Sequence, residues 1–511
     1  MSESAKSNQE IGRLGLKNIF IVMLGTLGSR VSGLVRQVVF NTNFDKSVTD
    51  AFGVAYRIPN IFRELLAEGA LINSFLPVYK SLSPEERERL TSSFTAVLFG
   101  VNLLILGLGL IFAPFLVDLA LSSSSSIDRD MAIEMTRLMM PFLMTISLSA
   151  VAMGLLNAHE QFRQTAFAPI AFNGMSIVLM LMFPHSATGL ALSTTLGGLA
   201  QLLIQVPALL KMKIMPRWVA LWHPSLSGVL QRMLPFSIST SSKQLLNFVL
   251  TNYLTAFPAG AVTGFYNAET LFQMALGLFA VSPALALYPK MADLSNARDW
   301  DGFRDLTEQA LRLTIFIAAP VSVLLCVLAP YAVSIYNLKG SFDPSKFQYG
   351  WQILTTWSWA IVPAGMNAIF VRTFFVRGRT LEPLVITSLG ALLDVLLYTL
   401  FTPKWGVFGF GVATTLSSSL VTFALMVYST LQIKMRHGNL LRYLGKIVAV
   451  SIPAGLTAKA VSLLLPQAGT LVSGVIACFL AGGLGSAVYV FLCLRLRVPE
   501  AQNMLSRIRK R

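Results

Sequence analysis

Charge is scarce in this sequence: only 13% of its 511 residues are Asp, Glu, Lys or Arg, against 54% hydrophobic residues. Soluble domains carry about twice that share of charge, so a mean hydropathy of +0.65 excludes an ordinary soluble protein. Cysteine is nearly absent. Cys326, Cys478 and Cys493 lie in apolar segments without CxxC or metal-ligand spacing and read as packing residues. The four histidines, His159, His185, His223 and His437, fall in predicted loops without the paired spacing a zinc site needs. No GxxxxGK[ST] run is present, which excludes P-loop nucleotide hydrolysis, and no Ser/His/Asp order or nucleophile elbow stands out. The sequence therefore reads as a non-enzyme. The polar start "MSESAKSNQEIGRLGLKN" is not closed by a small-residue cleavage site, so a cleavable signal peptide is not expected.

Apolar runs of about 20 residues, the length a helix needs to cross a bilayer, recur from end to end. The expected fold is an all-α polytopic membrane protein with about 14 transmembrane helices. The formal charge of +16 is unevenly spread: Lys and Arg crowd into alternate loops and both tails and are sparse in the others. That asymmetry is the positive-inside pattern and predicts both termini in the cytoplasm. The basic tail "LSRIRKR" reads as an anchor beside anionic lipid, and no nucleic-acid partner is expected.

An internal repeat sets the organisation. "TDAFGVAYRIPN" at 49–60 echoes "VTGFYNAETLFQ" at 262–273, and "GLALSTTLGGL" at 189–199 echoes "GFGVATTLSSSL" at 409–420, in the same order and at a nearly constant offset. The expected layout is a tail (1–15), a six-helix bundle (16–212), a linker (213–228), a second six-helix bundle (229–434), two extra helices (435–496) and a basic tail (497–511). Six spans per half relate the halves by a pseudo-two-fold axis along the membrane normal, the layout transporters use for alternating access around a cavity. The polar stretches "SLSPEERERLTSS" and "MADLSNARDWDGFRDLTEQALR" are expected as amphipathic helices on the cytoplasmic surface.

Charges inside the spans point to function. Arg30, Arg36, Arg57 and Arg63 would together cost about 10–14 kcal/mol facing lipid, so they must face protein, water or a ligand. Arg57 shares a helical stripe with Asp50 and Glu64, which fits a structural role as well as a ligand. Arg30 and Arg36 lie about 120° apart around an ideal helix and reach one cavity only if it bends, which Gly28 and Gly33 permit. Pro59 is expected to interrupt the second span just before Arg63. Arginine suits bidentate recognition of phosphate oxygens, so the expected guest is a phosphate-bearing molecule. In the second half Asp394 stands alone in an apolar span. Thr414 and Asn247 offer neutral oxygens for a sodium ion beside it, and the alternative is a protonated Asp394 hydrogen-bonded to a neighbour.

"SRVSGLVRQ" at 29–37, "TDAFGVAYRIPNIFRELLAEGALINSFLPVY" at 49–79 and "GLLNAHEQFRQTAFAP" at 154–169 resemble the signature of the MurJ/MviN lipid II flippases of the MOP exporter superfamily. The resemblance implies a flippase of the bacterial cytoplasmic membrane that moves an undecaprenyl-diphosphate-linked peptidoglycan precursor outward, with other cell-wall synthesis proteins as partners. It places Arg30, Arg36 and Arg63 on the family's cavity arginines. Asp50, Pro59, Asn60, Glu68 and Glu269 form the supporting and gating set. Some members of that family carry a sodium ion between the helices that here hold Asp394, Asn247 and Thr414, and no other cofactor is implied. The last two spans lie outside the repeat and "GTLVSGVIACFLAGGLGSA" is rich in small residues, so a polyprenyl-tail groove is expected along them. The sequence departs from the pattern at Thr270, where a cation follows the acid in the family, and at Ala368, where a lysine is expected. Lys243 is the intramembrane cation available to stand in. These departures leave two alternatives open: another polyprenyl-diphosphate-linked oligosaccharide as cargo, or a cation-coupled small-molecule exporter of the same superfamily.

Overall fold

A computed structural model describes residues 24–66, 75, 78–217, 222–338, 343–379, 381–435 and 438–509. The side chains at 65–66, 232, 234–247, 282–286, 289, 505 and 507–509 fall outside that description. Every regular element among the described residues is helical, and Cα proximity divides the chain into two units, Met1–Ala259 and Gly260–Arg511.

The first unit holds α1 (24–43), α2 (Lys46–Leu66), α3 (Pro84–Ala120), α4 (Arg129–Ala158), α5 (Phe162–Met182), α6 (Ala187–Lys211) and α7 (Pro224–Thr255). Local chemistry sets the starts. Ser83 and Glu86 form a capping box with Pro84 in the first turn of α3, Asp128 caps α4 through the Met131 N–H, and Ser186 caps α6 through the Gly189 N–H. The stretch "SLSPEERERLTSS" is thus mostly the first turns of α3 rather than a separate surface helix, because the box starts a helix that runs unbroken into the apolar span. Leu104, Ile111 and Phe115 of α3 stay exposed, as side chains that meet lipid do. Inside the unit an aromatic row links four helices. Phe40 of α1 packs on Phe52, Phe52 on Tyr56 of α2, Tyr56 on Phe142 of α4 and Phe142 on Phe172 of α5, with ring centroids 5.4–6.3 Å apart. α7 is tied to α3 by Asn252, whose amide donates to the Leu121 carbonyl at 2.9 Å.

The second unit opens at Gly260, whose φ of 102° is left-handed and lies against Ser345 and Lys346, where a Cβ would collide. Its α8 runs as Ala261–Ala275, a π turn Leu276–Val281, and Ser282–Asn296. Then come α9 (Trp300–Val327), α10 (Pro344–Val376), α11 (Leu381–Trp405), α12 (Phe408–Ile433), α13 (Gly438–Leu463), α14 (Leu471–Arg495) and the terminal α15 (Pro499–Arg509). Asp299 caps α9 through the Gly302 N–H, so "MADLSNARDWDGFRDLTEQALR" is the end of α8 and the start of α9, again not a free-standing surface helix. The later echo begins with a glycine that does the same thing in each unit: a Cβ on Gly189 of α6 would press on Phe183 at the end of α5, and one on Gly409 of α12 would press on the backbone of Phe401–Thr402 in α11.

α13 and α14 pack on α9 within this unit. Tyr489 donates to the Phe316 carbonyl at 2.7 Å, Leu328 packs with Ala458 and Ala481, and a Cβ on Gly485 would sit 2.8 Å from the Ala454 oxygen. Close packing therefore accounts for Gly485 and also for Gly474, which lies against the Tyr331 carbonyl. Gly483 faces open space.

Among the described residues ten helices are long and apolar enough to cross a membrane: α3 to α6 and α9 to α14. The remaining long segments, α1, α2, α7 and α8, carry the described candidate charges other than Asp394, which lies on α11.

Candidate functional site

α1 lies close along α5 because its small residues allow it. A Cβ on Gly25 would overlap the Ala166 methyl, and one on Gly28 would come within 2.7 Å of Ile170. Asn173 of α5 then donates to the Ser29 carbonyl at 3.3 Å and the Ser32 hydroxyl at 3.0 Å. One turn further on this face the Arg36 guanidinium stands 5.5 Å from the Phe172 ring centroid, at the end of the aromatic row. Its Nε is buried without a hydrogen-bond partner among the described residues. Arg30 projects from another side of α1 and is exposed. Residues 24–43 are helical without a break, and Gly25 and Gly28 permit the close approach to α5.

On α2, Asp50 is only 1% exposed and Arg57 8%, and the Arg57 Nε lacks a hydrogen-bond partner among the described residues. Pro59 lies inside Lys46–Leu66 without ending it. This corrects the expected interruption. Proline removes one helical hydrogen bond, that to the Ala55 carbonyl, while the turns on either side keep theirs and Ala55 and Ile58 are packed solidly. Directly after it, Asn60 organises the charges. Its Oδ1 accepts from Arg63 Nε at 2.9 Å, its amide donates to Glu64 Oε1 at 3.0 Å, and Arg63 approaches the same carboxylate at 3.9 Å. The structure thus joins Asn60, Arg63 and Glu64, a bridge that the residue types did not announce. Glu68 lies outside the described residues.

In the remaining helices the picture is more dispersed. Lys243 and Asn247 belong to α7, and their side chains lie outside the described set. Glu269 is half-buried on α8, and the Thr270 hydroxyl beside it donates to its own helix at Tyr266. Ala368 offers its carbonyl to Arg372 at 2.7 Å. Asp394 has one carboxylate oxygen buried without a partner among the described residues. One turn on, Tyr398 and Thr414 hydroxyls pair at 3.0 Å, so Thr414 lies on the α12 face towards this part of α11. Among the described residues no group of three or more His, Cys, Asp or Glu side chains gathers, which leaves Asp394 as a single carboxylate with neutral oxygens nearby.

Lys346 escapes the reading from sequence, and it is 1% exposed in the first turn of α10. The signal was "DPS", because Asp343 caps the helix through the Ser345 N–H and Pro344 occupies its first turn.

The family model for lipid II flippase MurJ matches residues 41–479. The chain is 29% identical over 485 residues to the probable lipid II flippase MurJ of Bdellovibrio bacteriovorus, covering 92% of each, and 30% identical over 422 residues to the lipid II flippase MurJ of Burkholderia cenocepacia, covering 78% of this chain and 81% of that one. In fold it resembles a lipid II flippase MurJ in an inward closed conformation, with a TM-score of 0.77 at 21% identity over 94% of this chain and 99% of that one. An inward-facing multidrug resistance MATE transporter of the MOP superfamily gives 0.64 at 14% identity, over 80% and 94%. With the family match running from the end of α1 into α14, across both units, the chain belongs to the lipid II flippase MurJ family.

Proposed function

We propose that this protein moves lipid II, an undecaprenyl-diphosphate-linked peptidoglycan precursor, from the inner to the outer leaflet of the bacterial cytoplasmic membrane by alternating access. The match of the lipid II flippase MurJ model over residues 41–479 carries this reading. In it, Arg30, Arg36 and Arg63 receive the diphosphate, and Lys243 supplies a further cation. Asp50, Pro59, Asn60, Glu68 and Glu269 support and gate the site. Asn60 fixes the Arg63 Nε, so the guanidinium plane is oriented before cargo arrives and less rotamer freedom is lost on binding. The alternating distribution of Lys and Arg supports an orientation with both termini in the cytoplasm. A sodium ion at Asp394 and Thr414, with Asn247, is proposed as the coupling ion. A neutral Asp394 that simply packs is the competing account.

Complementation tests the central claim. A cell depleted of its own lipid II flippase should regain growth and wall synthesis when this chain is expressed, and failure at normal membrane levels would remove lipid II as the cargo. A second reading, another polyprenyl-diphosphate-linked oligosaccharide as cargo, is favoured by Thr270, which bonds to its own helix where the family pattern has a cation. It predicts rescue of a strain that lacks a different lipid-linked-glycan flippase.

A further inference from the structure

Away from the charged helices, the first unit has two neighbouring cavities of about 220 Å³ each, at the end where α3 begins and α4 and α6 finish. One is polar and basic, lined by Tyr79, Arg87, Glu88, His159 and Lys213. The other is apolar, lined by Phe99, Leu148, Val151, Leu202 and Leu209. They share the wall Met215–Pro216, and Thr91 of the first is followed along α3 by Ser92 of the second.

The polar cavity is prepared for an anion. Arg87 is held by two neutral acceptors, its Nε donating to the Tyr79 carbonyl at 3.0 Å and its terminal nitrogen to the Lys80 carbonyl at 3.0 Å, with the guanidinium 5.5 Å from the Tyr79 ring centroid. The Tyr79 ring is itself braced edge-on by His159 at 6.0 Å. Carbonyls orient the cation without cancelling its charge. Glu88, the one carboxylate among the described lining residues, stands 3.7 Å from Arg217, so Arg87 and Lys213 leave the cavity with net positive charge. An oriented guanidinium beside a lysine recognises a phosphate. An apolar slot adjoining that phosphate site accepts a hydrocarbon chain, and basic pockets between membrane helices on the cytoplasmic side hold lipid head groups.

We propose that this pair of cavities is a binding site for an anionic glycerophospholipid, with its phosphate at Arg87 and Lys213 and one acyl chain in the slot bounded by Phe99, Leu148 and Leu202. On the proposed orientation it opens to the cytoplasmic leaflet, apart from the arginines of α1 and α2. The site would make the first unit sensitive to the anionic lipid around it, whatever cargo the protein carries.

Native mass spectrometry of the full-length protein, purified in detergent and titrated with phosphatidylglycerol or phosphatidylcholine, tests this directly. Wild type should retain phosphatidylglycerol over phosphatidylcholine, and Lys213→Gln, Arg87→Gln and Leu148→Trp should each lower that retention at least about fivefold. Lys213 is exposed, so its variant folds even if filling the slot at Leu148 proves disruptive. Equal retention by Lys213→Gln and wild type overturns the proposal. So does displacement of the lipid by inorganic phosphate with Leu148→Trp unaffected, which would mean a phosphate site without a chain. Preferential retention of undecaprenyl diphosphate, lost in the same variants, overturns it in favour of a cargo subsite.

Discussion

Asn60 and Arg63 are joined across one turn of α2, the arginine Nε donating to the asparagine side-chain oxygen at 2.9 Å just past Pro59. Removing the bond leaves the charge in place but loosens its plane. Arg63→Ala should therefore abolish complementation at normal membrane levels, as should Arg30→Ala and Arg36→Ala. Asn60→Ala should slow flipping only about tenfold, which corresponds to one charge-assisted hydrogen bond. Growth and immunoblotting of strains carrying each variant as sole flippase distinguish the two outcomes. Normal growth of Arg63→Ala would remove that residue from the site.

The contact of α1 with α5 predicts opposite effects from one kind of substitution. Gly33→Ala has room, with its nearest neighbour 3.6 Å away, and should be neutral or stabilising through helix propensity. Gly25→Ala meets the Ala166 methyl and should destabilise by about 1–3 kcal/mol. Thermal unfolding in detergent reads both, and equal midpoints would contradict the packing described.

A tail groove along α14 is best tested at Gly483, which faces open space, rather than at Gly485, which touches the Ala454 carbonyl. Gly485→Trp should lower the amount of folded protein whatever α14 binds. Gly483→Trp should leave the fold intact and slow flipping of long-tailed cargo, and unchanged flipping would assign the small residues to helix packing alone.

Export should respond to membrane potential. Two negative charges moved outward through 100 mV, inside negative, release about 4.6 kcal/mol if uncompensated. Flipping in vesicles should slow when the potential is clamped to zero, and an unchanged net rate would exclude this driving force.

Sodium coupling predicts that replacing sodium with a large organic cation slows wild type and leaves Asp394→Asn unaffected. Transport insensitive to both changes would leave Asp394, with its unpartnered oxygen among the described residues, as a packing feature.

Helix starts are written locally, since "SPEE" and "DPS" hold their caps within four residues, yet neither cap is drawn from the sequence above, where the apolar runs alone set the spans. The family was legible in the 29–37 and 49–79 runs. What escaped depends on partners far along the chain. Gly25 meets Ala166, and Arg36 meets Phe172, contacts that no helical period reveals when all sides of a span are apolar. Pro59 was expected to break α2 because propensity argues from one residue, whereas packing on both sides of it decides. Lys346 escapes notice because the apolar run begins after it, although the cap lies before it.

The tie between Tyr489 and Phe316 has a consequence for biogenesis. The two residues are 173 positions apart, and translation at about 5–20 residues per second separates their synthesis by about 9–35 s. During that interval the face of α9 that will receive α14 sits in the bilayer without its partner. The second unit is finished only when the last long helix leaves the ribosome. A ribosome stalled after α12 would release a chain with that seam open to lipid and to membrane quality-control proteases.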